Sequence, residues 1–332
     1  MHSPRTAAVV CFGELLLRLD PPRGERLLQA GELVVSFTGG EANTAVALAN
    51  WGESVRLVSS VPAHDLGQAC LNHFRRFGVD VASVVRGGER LGILYVEPGA
   101  GPRAPKVIYD RQHTSFRSLQ PGSIDWDQAL AGADWFHFTG TAPAIGTGVR
   151  QLLREGLQQA RERGLRISFD SSYRSLLWSV EEAATEFQQL LPLVDLFIGS
   201  ASDAVQFCGL PAGEPDLLRA LAARYQLRGV VFVEREMTPS GGQSYTAQAF
   251  LNGELASSHR HELHIVDRIG AGDALAAGLI YRLRQQQPLE DALNFAIAAG
   301  VLAHTLPGDL ALLSEAEVQS LAQQGTSTRG WR

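Results

Sequence analysis

The stretch Asp267-Arg268-Ile269-Gly270-Ala271-Gly272-Asp273-Ala274-Leu275-Ala276-Ala277-Gly278 places two glycines and an acid where a strand gives way to a helix of small residues. Glycines there expose backbone N–H groups at a helix N-terminus, where unsatisfied amides and the helix dipole favour an anion such as a phosphate. Asp273 lies in the same turn and can take the proton of a hydroxyl as it attacks phosphorus. Read alone, the motif is equally a tight turn with Asp273 as a helix cap. A dinucleotide fingerprint fails on spacing, because its third glycine falls on Leu275. A Walker-type loop fails on composition, because no Gly-Lys-Ser or Gly-Lys-Thr occurs in the chain.

A second glycine-rich stretch, Thr38-Gly39-Gly40-Glu41-Ala42-Asn43, precedes another helix of small residues. Its glycines let backbone approach a ligand, and Asn43 offers a donor and an acceptor suited to sugar hydroxyls; a turn with a helix cap is the alternative. Arginine forks match carboxylates. Tyr95, the run Ile108-Tyr109-Asp110-Arg111 and the run Asp170-Ser171-Ser172-Tyr173-Arg174-Ser175-Leu176-Leu177-Trp178 therefore suit an acidic sugar, with exposed arginines on a strand and a loop as the plainer reading. His259-Arg260-His261-Glu262-Leu263-His264 looks metal-like but lacks the zincin spacing, and exposed strand alternation accounts for it better.

These residues need a scaffold. Short apolar runs alternate with helical patterns, the signature of β-α units feeding a mostly parallel sheet. Strands are expected at Ala8 to Phe12, Val55 to Ser59, Trp135 to Thr139, Arg166 to Asp170, Leu193 to Ile198 and Val230 to Val233. Helices are expected at Ala42 to Trp51, Leu66 to Phe77 and Val149 to Arg163, each stopped by the glycine that follows. Later helices run from Ala271 to Arg284, Leu289 to His304 and Ser314 to Gln323. Tyr245 to Val266 alternates about Asn252-Gly253, which suits a type I′ hairpin at a sheet edge. Leu15 to Phe37 and Leu91 to Arg111 break the rhythm and read as a small β appendage.

Composition limits the partners. Of 332 residues, 45% are hydrophobic and 19% charged, an ordinary globular balance. A net charge of −6 argues against a nucleic-acid partner. The apolar run at Ala7 to Phe12 is too short for a signal-peptide core or a membrane span, so a cytoplasmic location is expected. Cys11, Cys70 and Cys208 are odd in number and unpaired in spacing, and are expected to be buried and free.

The two glycine-rich motifs, in this order and separation, resemble the two signatures of the ribokinase-like (PfkB) sugar kinase family, and the likeness spans nearly the whole chain. The resemblance implies a doubly wound, mostly parallel α/β sheet flanked by helices with a small β-sheet lid. Residues 1–325 would form the kinase domain, with lid segments about 15–37 and 91–111 and a tail at 326–332. It implies ATP and Mg²⁺ as co-substrates, a monovalent cation as a further candidate, and a homodimer formed through the lid. Asp273 would be the catalytic base; Gly270, Ala271 and Gly272 would hold the transferring phosphoryl group; Gly39, Gly40 and Asn43 would meet the sugar. Asp267, Asn294 and Ser200 would lie on the nucleotide side, and Asp203 would handle the metal indirectly. Tyr95, Tyr109, Arg111 and Arg174 are similar to the pattern of 2-keto-3-deoxygluconate kinases, which carry Tyr-x-Arg on the lid and Asn-Tyr-Arg after a strand.

The chain departs from the family pattern at several points. Ser172 replaces that asparagine, Thr38 replaces the first glycine of the early signature, and Val61 to Gly67 lacks a preceding glycine. Ser200-Ala201-Ser202-Asp203 stands for Asn-x-x-Glu. Glu234 to Thr238, followed by Gly241-Gly242, stands for a glycine-rich nucleotide loop. The expected activity is ATP-dependent phosphorylation of 2-keto-3-deoxygluconate to its 6-phosphate. A fructokinase or other hexose kinase is the rival within the family, and a non-catalytic sugar or nucleotide sensor the rival outside it.

Overall fold

Runs such as Ala8–Phe12 are apolar on both faces, which suits strands covered by helices on each side, and all five of its residues are buried. The computed structural model describes residues 7–22, 24–99, 103–237 and 242–324. The tail at 326–332, Thr238 and Gly241 lie outside them. The strands are β1 (Ala8–Phe12), β2 (Leu16–Asp20), β3 (Val34–Thr38), β4 (Ser54–Val61), β5 (Val84–Arg86), β6 (Gly92–Glu97), β7 (Lys106–Asp110), β8 (Ala133–Thr139), β9 (Arg166–Asp170), β10 (Leu196–Gly199), β11 (Gly229–Met237), β12 (Gln243–Leu251), β13 (Glu254–Ser257) and β14 (His261–Leu263). The large sheet runs β13-β12-β11-β10-β9-β8-β1-β4-β5, with β14 also on β12. It is parallel from β11 to β5 and antiparallel where β12 joins, so the expected mostly parallel α/β sheet is present.

Successive side chains of a strand point to opposite faces, and the core divides accordingly. Val9 and Cys11 pack with helices Gly40–Asn50, Ala271–Arg284 and Leu289–Ala303 on one side. Val10 and Phe12 pack with helices Thr147–Glu162 and Val180–Leu190 on the other. The segments that broke the β-α rhythm form a separate four-stranded sheet, β3-β2-β6-β7. All three cysteines are buried and free. Among the described residues, no helix is long and apolar enough to cross a membrane.

The Asn252-Gly253 hairpin forms as expected, with φ of 49° and 96° and Leu251 opposite Glu254. Three expectations need correction. The strand drawn from Leu193 begins at Leu196, because Leu191–Leu193 is a 3₁₀ turn built around Pro192. Glu234–Met237 is not a loop but the continuation of β11, paired with Gln243–Thr246 of β12. In the histidine run Glu262 and His264 are exposed, but His261 is buried opposite Tyr245.

Candidate active site

The chain crosses from β1 to β4 and β5 on one side, then to β8, β9 and β10 on the other, so the direction of winding reverses between β1 and β8. In open parallel sheets, crevices open at the carboxyl ends of strands at such a switch point. A cavity of about 900 Å³ lies there. Thr139 ends β8, Asp170 ends β9 and Gly199 ends β10, and all three line it. The small sheet covers one wall with Leu16, Leu94, Val107 and Tyr109.

Gly270, Gly272 and Asp273 form the opposite wall. Gly270 is the N-cap of helix Ala271–Arg284, with φ of 85°. A Cβ on it would lie 2.0 Å from the Asp309 carbonyl oxygen, so both conformation and space demand glycine. Gly272 opens onto free space. Among the described residues no side chain caps this helix, so the first amides, at Ala271, Gly272 and Asp273, remain available to an anion. Ala271 contributes backbone alone, its side chain being fully buried.

Asp273 Oδ2 accepts a 2.8 Å hydrogen bond from Asn43 Nδ2. Asn43 Oδ1 in turn accepts from the Thr38 hydroxyl at 3.2 Å, and the Thr44 hydroxyl donates to the Asp273 carbonyl oxygen at 3.2 Å. The two glycine-rich motifs, 230 residues apart, thus meet side chain to side chain. Asp273 Oδ1 faces Gly40, where a Cβ would stand 3.5 Å from it, and accepts no hydrogen bond among the described residues. Burial pushes the Asp273 pKa up to about 7; Asp170 and Glu41 push the same way, against the Asn43 hydrogen bond and the Arg174 charge.

The sequence motifs left several of the surrounding acids unassigned. Glu41 is buried, and its Oε1 accepts from the Thr139 amide at 2.9 Å and the Thr139 hydroxyl at 2.8 Å. Burial raises its pKa to about 7. Asp170 is likewise raised by burial, and its Oδ1 accepts from the Ser172 amide at 2.9 Å. Ser172 has φ of 33°, a left-handed backbone that asparagine tolerates better than serine. Glu14, buried behind Arg111, accepts from the Thr114 hydroxyl at 2.7 Å. A buried acid just after the first strand was the available signal for it.

Arg111 and Arg174 both line the cavity. Arg111 stacks over Tyr109 at 4.5 Å, with its Nε 3.3 Å from Glu14 Oε2. Arg174 is exposed, and among the described residues its hydrogen bond goes to the carbonyl of its own neighbour Tyr173. Gly39 and Gly40 line the same wall as Asn43; a Cβ on Gly39 would meet the Glu14 carbonyl oxygen at 2.4 Å.

Four of the residues singled out in the sequence do not present side chains to the cavity. Besides Ala271, Tyr95 alternates with Leu94 along β6 and so takes the other face. Asn294 Oδ1 accepts from the His259 amide at 2.7 Å, so it ties helix Leu289–Ala303 to the chain between β13 and β14. Asp267 turns below the loop, where its Oδ1 accepts from the amides of Arg268 at 2.7 Å and Ile269 at 3.1 Å.

Ser200 and Asp203 do reach the cavity, joined in a reciprocal capping box at the start of helix Ala201–Gln206. Asp203 Oδ2 also accepts from the Ser171 hydroxyl at 2.8 Å. Among the described residues no group of three or more histidine, cysteine or acidic side chains could enclose a metal ion. Mg²⁺ is usually held by one or two carboxylates plus substrate phosphates, and Asp170 and Asp203 fit that lighter role.

Comparison with known proteins agrees with this geometry. The pattern of the pfkB family carbohydrate kinases matches residues 6–316. A 2-dehydro-3-deoxygalactonokinase of Haloferax volcanii is 33% identical over 96% of this chain and 98% of its own length. A 2-dehydro-3-deoxygluconokinase of Bacillus subtilis is 26% identical over 91% of this chain and 90% of its own. The crystal structure of 2-dehydro-3-deoxygluconokinase from Thermotoga maritima superposes with a TM-score of 0.92 at 36% identity, over 97% of this chain and 99% of that one.

Proposed function

The chain belongs to the pfkB family of carbohydrate kinases, and on that premise we propose that it transfers the γ-phosphoryl group of ATP to the terminal hydroxyl of 2-keto-3-deoxygluconate. Asp273 is the base in this reading. The sugar hydroxyl oxygen bonds to the γ-phosphorus, the bond from that phosphorus to the β-phosphate oxygen breaks, ADP leaves, and the hydroxyl proton passes to Asp273 Oδ1. Asn43 holds the other carboxylate oxygen, so the free one is aimed. The amides of Ala271, Gly272 and Asp273 face the charge that develops on the phosphoryl oxygens. Asp170 and Asp203, with nucleotide phosphates, would hold Mg²⁺, which would supply charge neutralisation.

The observation that carries the acidic acceptor is that Arg111 and Arg174 line the same cavity as Asp273. A neutral hexose has no group that needs them. Arg174, without a carboxylate partner among the described residues, suits the substrate carboxylate, while Arg111, backed by Glu14 and Tyr109, suits the adjacent keto and hydroxyl groups. The Haloferax relative favours a second reading, the epimeric 2-keto-3-deoxygalactonate, which keeps the carboxylate and the terminal hydroxyl. Val34, Val35 and Ile108 of the small sheet are exposed, which suits a homodimer formed through that face. Coupled ADP release over acidic and neutral sugars tests the assignment: preference for the 2-keto-3-deoxy acids supports it, and faster turnover of fructose or another neutral hexose overturns it.

A further inference from the structure

Arg18 lies in the middle of β2, with its side chain 3% exposed, and reaches out of the small sheet to three carboxylates. Its Nη2 is 2.8 Å from Asp267 Oδ2 and 2.7 Å from Asp20 Oδ1, its Nε is 2.9 Å from Asp20 Oδ2, and its Nη1 bonds Asp309 Oδ1. Two of these acids frame the anion loop. Asp267 holds the amides of Arg268 and Ile269, and the Asp309 carbonyl lies against Gly270. Asp267 and Asp309 are 16% and 2% exposed, so one guanidinium stands between like charges with little water to screen them. None of the four residues lines the cavity.

We propose that Arg18 is a positioning residue, an intrinsic cation that fixes the Asp267–Gly272 loop from the small sheet and fills the place a bound monovalent cation would otherwise take. The proposal rests on the reading of that loop as the phosphoryl-holding element. Removing the guanidinium leaves three carboxylates facing one another and lets the loop amides drift from their aim. The sugar side, built on Asn43 and Arg174, is untouched. A small external cation then becomes useful to the variant and not to the natural chain.

The test uses full-length protein, confirmed as folded by thermal melting, with ADP release measured at constant ionic strength in tetramethylammonium, K⁺ or guanidinium buffers. The natural chain should turn over equally in all three. Arg18→Ala should lose about 100-fold in kcat, as expected when donors to a transition state are displaced by an ångström. Its sugar Kd should stay within about threefold, and K⁺ or guanidinium should restore kcat at least about tenfold. Arg18→Lys, which keeps the charge but not the fork, should fall between. A folded Arg18→Ala with natural kcat, a loss that neither ion relieves, or a natural chain that requires K⁺ would each overturn the proposal. If Arg18→Ala does not fold, Arg18→Lys decides: lowered kcat with unchanged sugar Kd supports the role, and unchanged kcat refutes it. Absence of phosphoryl transfer in the natural chain would instead strike the reading of the loop itself.

Discussion

Asn43→Ala separates the tuning of the base from its presence. Asn43 Nδ2 donates at 2.8 Å to Asp273 Oδ2, and this bond favours the ionised carboxylate. A hydrogen bond to a charged group contributes about 1.5–3 kcal/mol, and 1.36 kcal/mol corresponds to one pH unit, so its loss raises the Asp273 pKa by about 1–2 units. The natural value is about 7, set chiefly by burial. At pH 7 the ionised fraction therefore falls from about one half to between about a tenth and a hundredth. Since the base acts when ionised, kcat climbs with pH through this pKa, and the variant's curve is displaced to higher pH. The assay is the pH profile of kcat at saturating sugar and ATP, which removes the effect of lost sugar contacts from the comparison. The fold difference should reach its full extent of about 10- to 100-fold below about pH 6 and vanish above about pH 10. A limb at the same pH in both, with only KM altered, would refute the coupling of Asn43 to the base.

Other consequences follow from the same geometry. Gly270→Ala forces a left-handed backbone on alanine and drives its methyl into the Asp309 carbonyl, so unfolding in urea should show a loss of at least about 2 kcal/mol, together with loss of turnover. Arg174→Ala should raise KM for 2-keto-3-deoxy acids at least about tenfold while leaving any slow turnover of neutral sugars unchanged, and an equal effect on both would argue against a carboxylate contact. Asp273 has a folded pKa of about 7 against an ordinary 3.8. The folded state therefore keeps a proton that the unfolded chain releases. This contribution to stability is complete below about pH 4 and is lost as pH rises through 7. Asp273→Asn should then be more stable than the natural chain at pH 8 by at least about 1 kcal/mol, with the advantage gone by pH 4; denaturant titrations at the two pH values would show it.

Much of the scaffold was legible because its elements are locally consistent. Ala8–Phe12 is apolar throughout and is a fully buried strand, and Gly52, Gly78 and Gly164 take left-handed φ after the helices they stop. Helix Val180–Leu190 escaped the reading although Ser179 and Glu182 spell a capping box, because its apolar positions were masked by the Leu176-Leu177-Trp178 run before it. The site was legible where backbone demands a residue type, as at Gly270, and less so where a side chain's direction decides. Tyr95 lies one position of strand alternation away from the cavity-facing Leu94, and the Asn294 side chain accepts from the His259 amide. Arg18, a charge inside an apolar strand pattern, and Glu14, just after the first strand, were missed for a related reason: such a residue shows its purpose only when the acids or arginines from distant segments arrive beside it.

The account rests most directly on phosphoryl transfer through Asp273. Incubation of the purified chain with ATP, Mg²⁺ and 2-keto-3-deoxygluconate, followed by product identification and by calorimetric titration of the sugar, tests it in one series with Asp273→Asn. The account predicts one ADP per phosphate monoester at the terminal carbon. It also predicts that the variant binds the sugar within about threefold of the natural affinity but turns over at least about 100-fold more slowly. Absence of product with the natural chain, or equal turnover by Asp273→Asn, would contradict it.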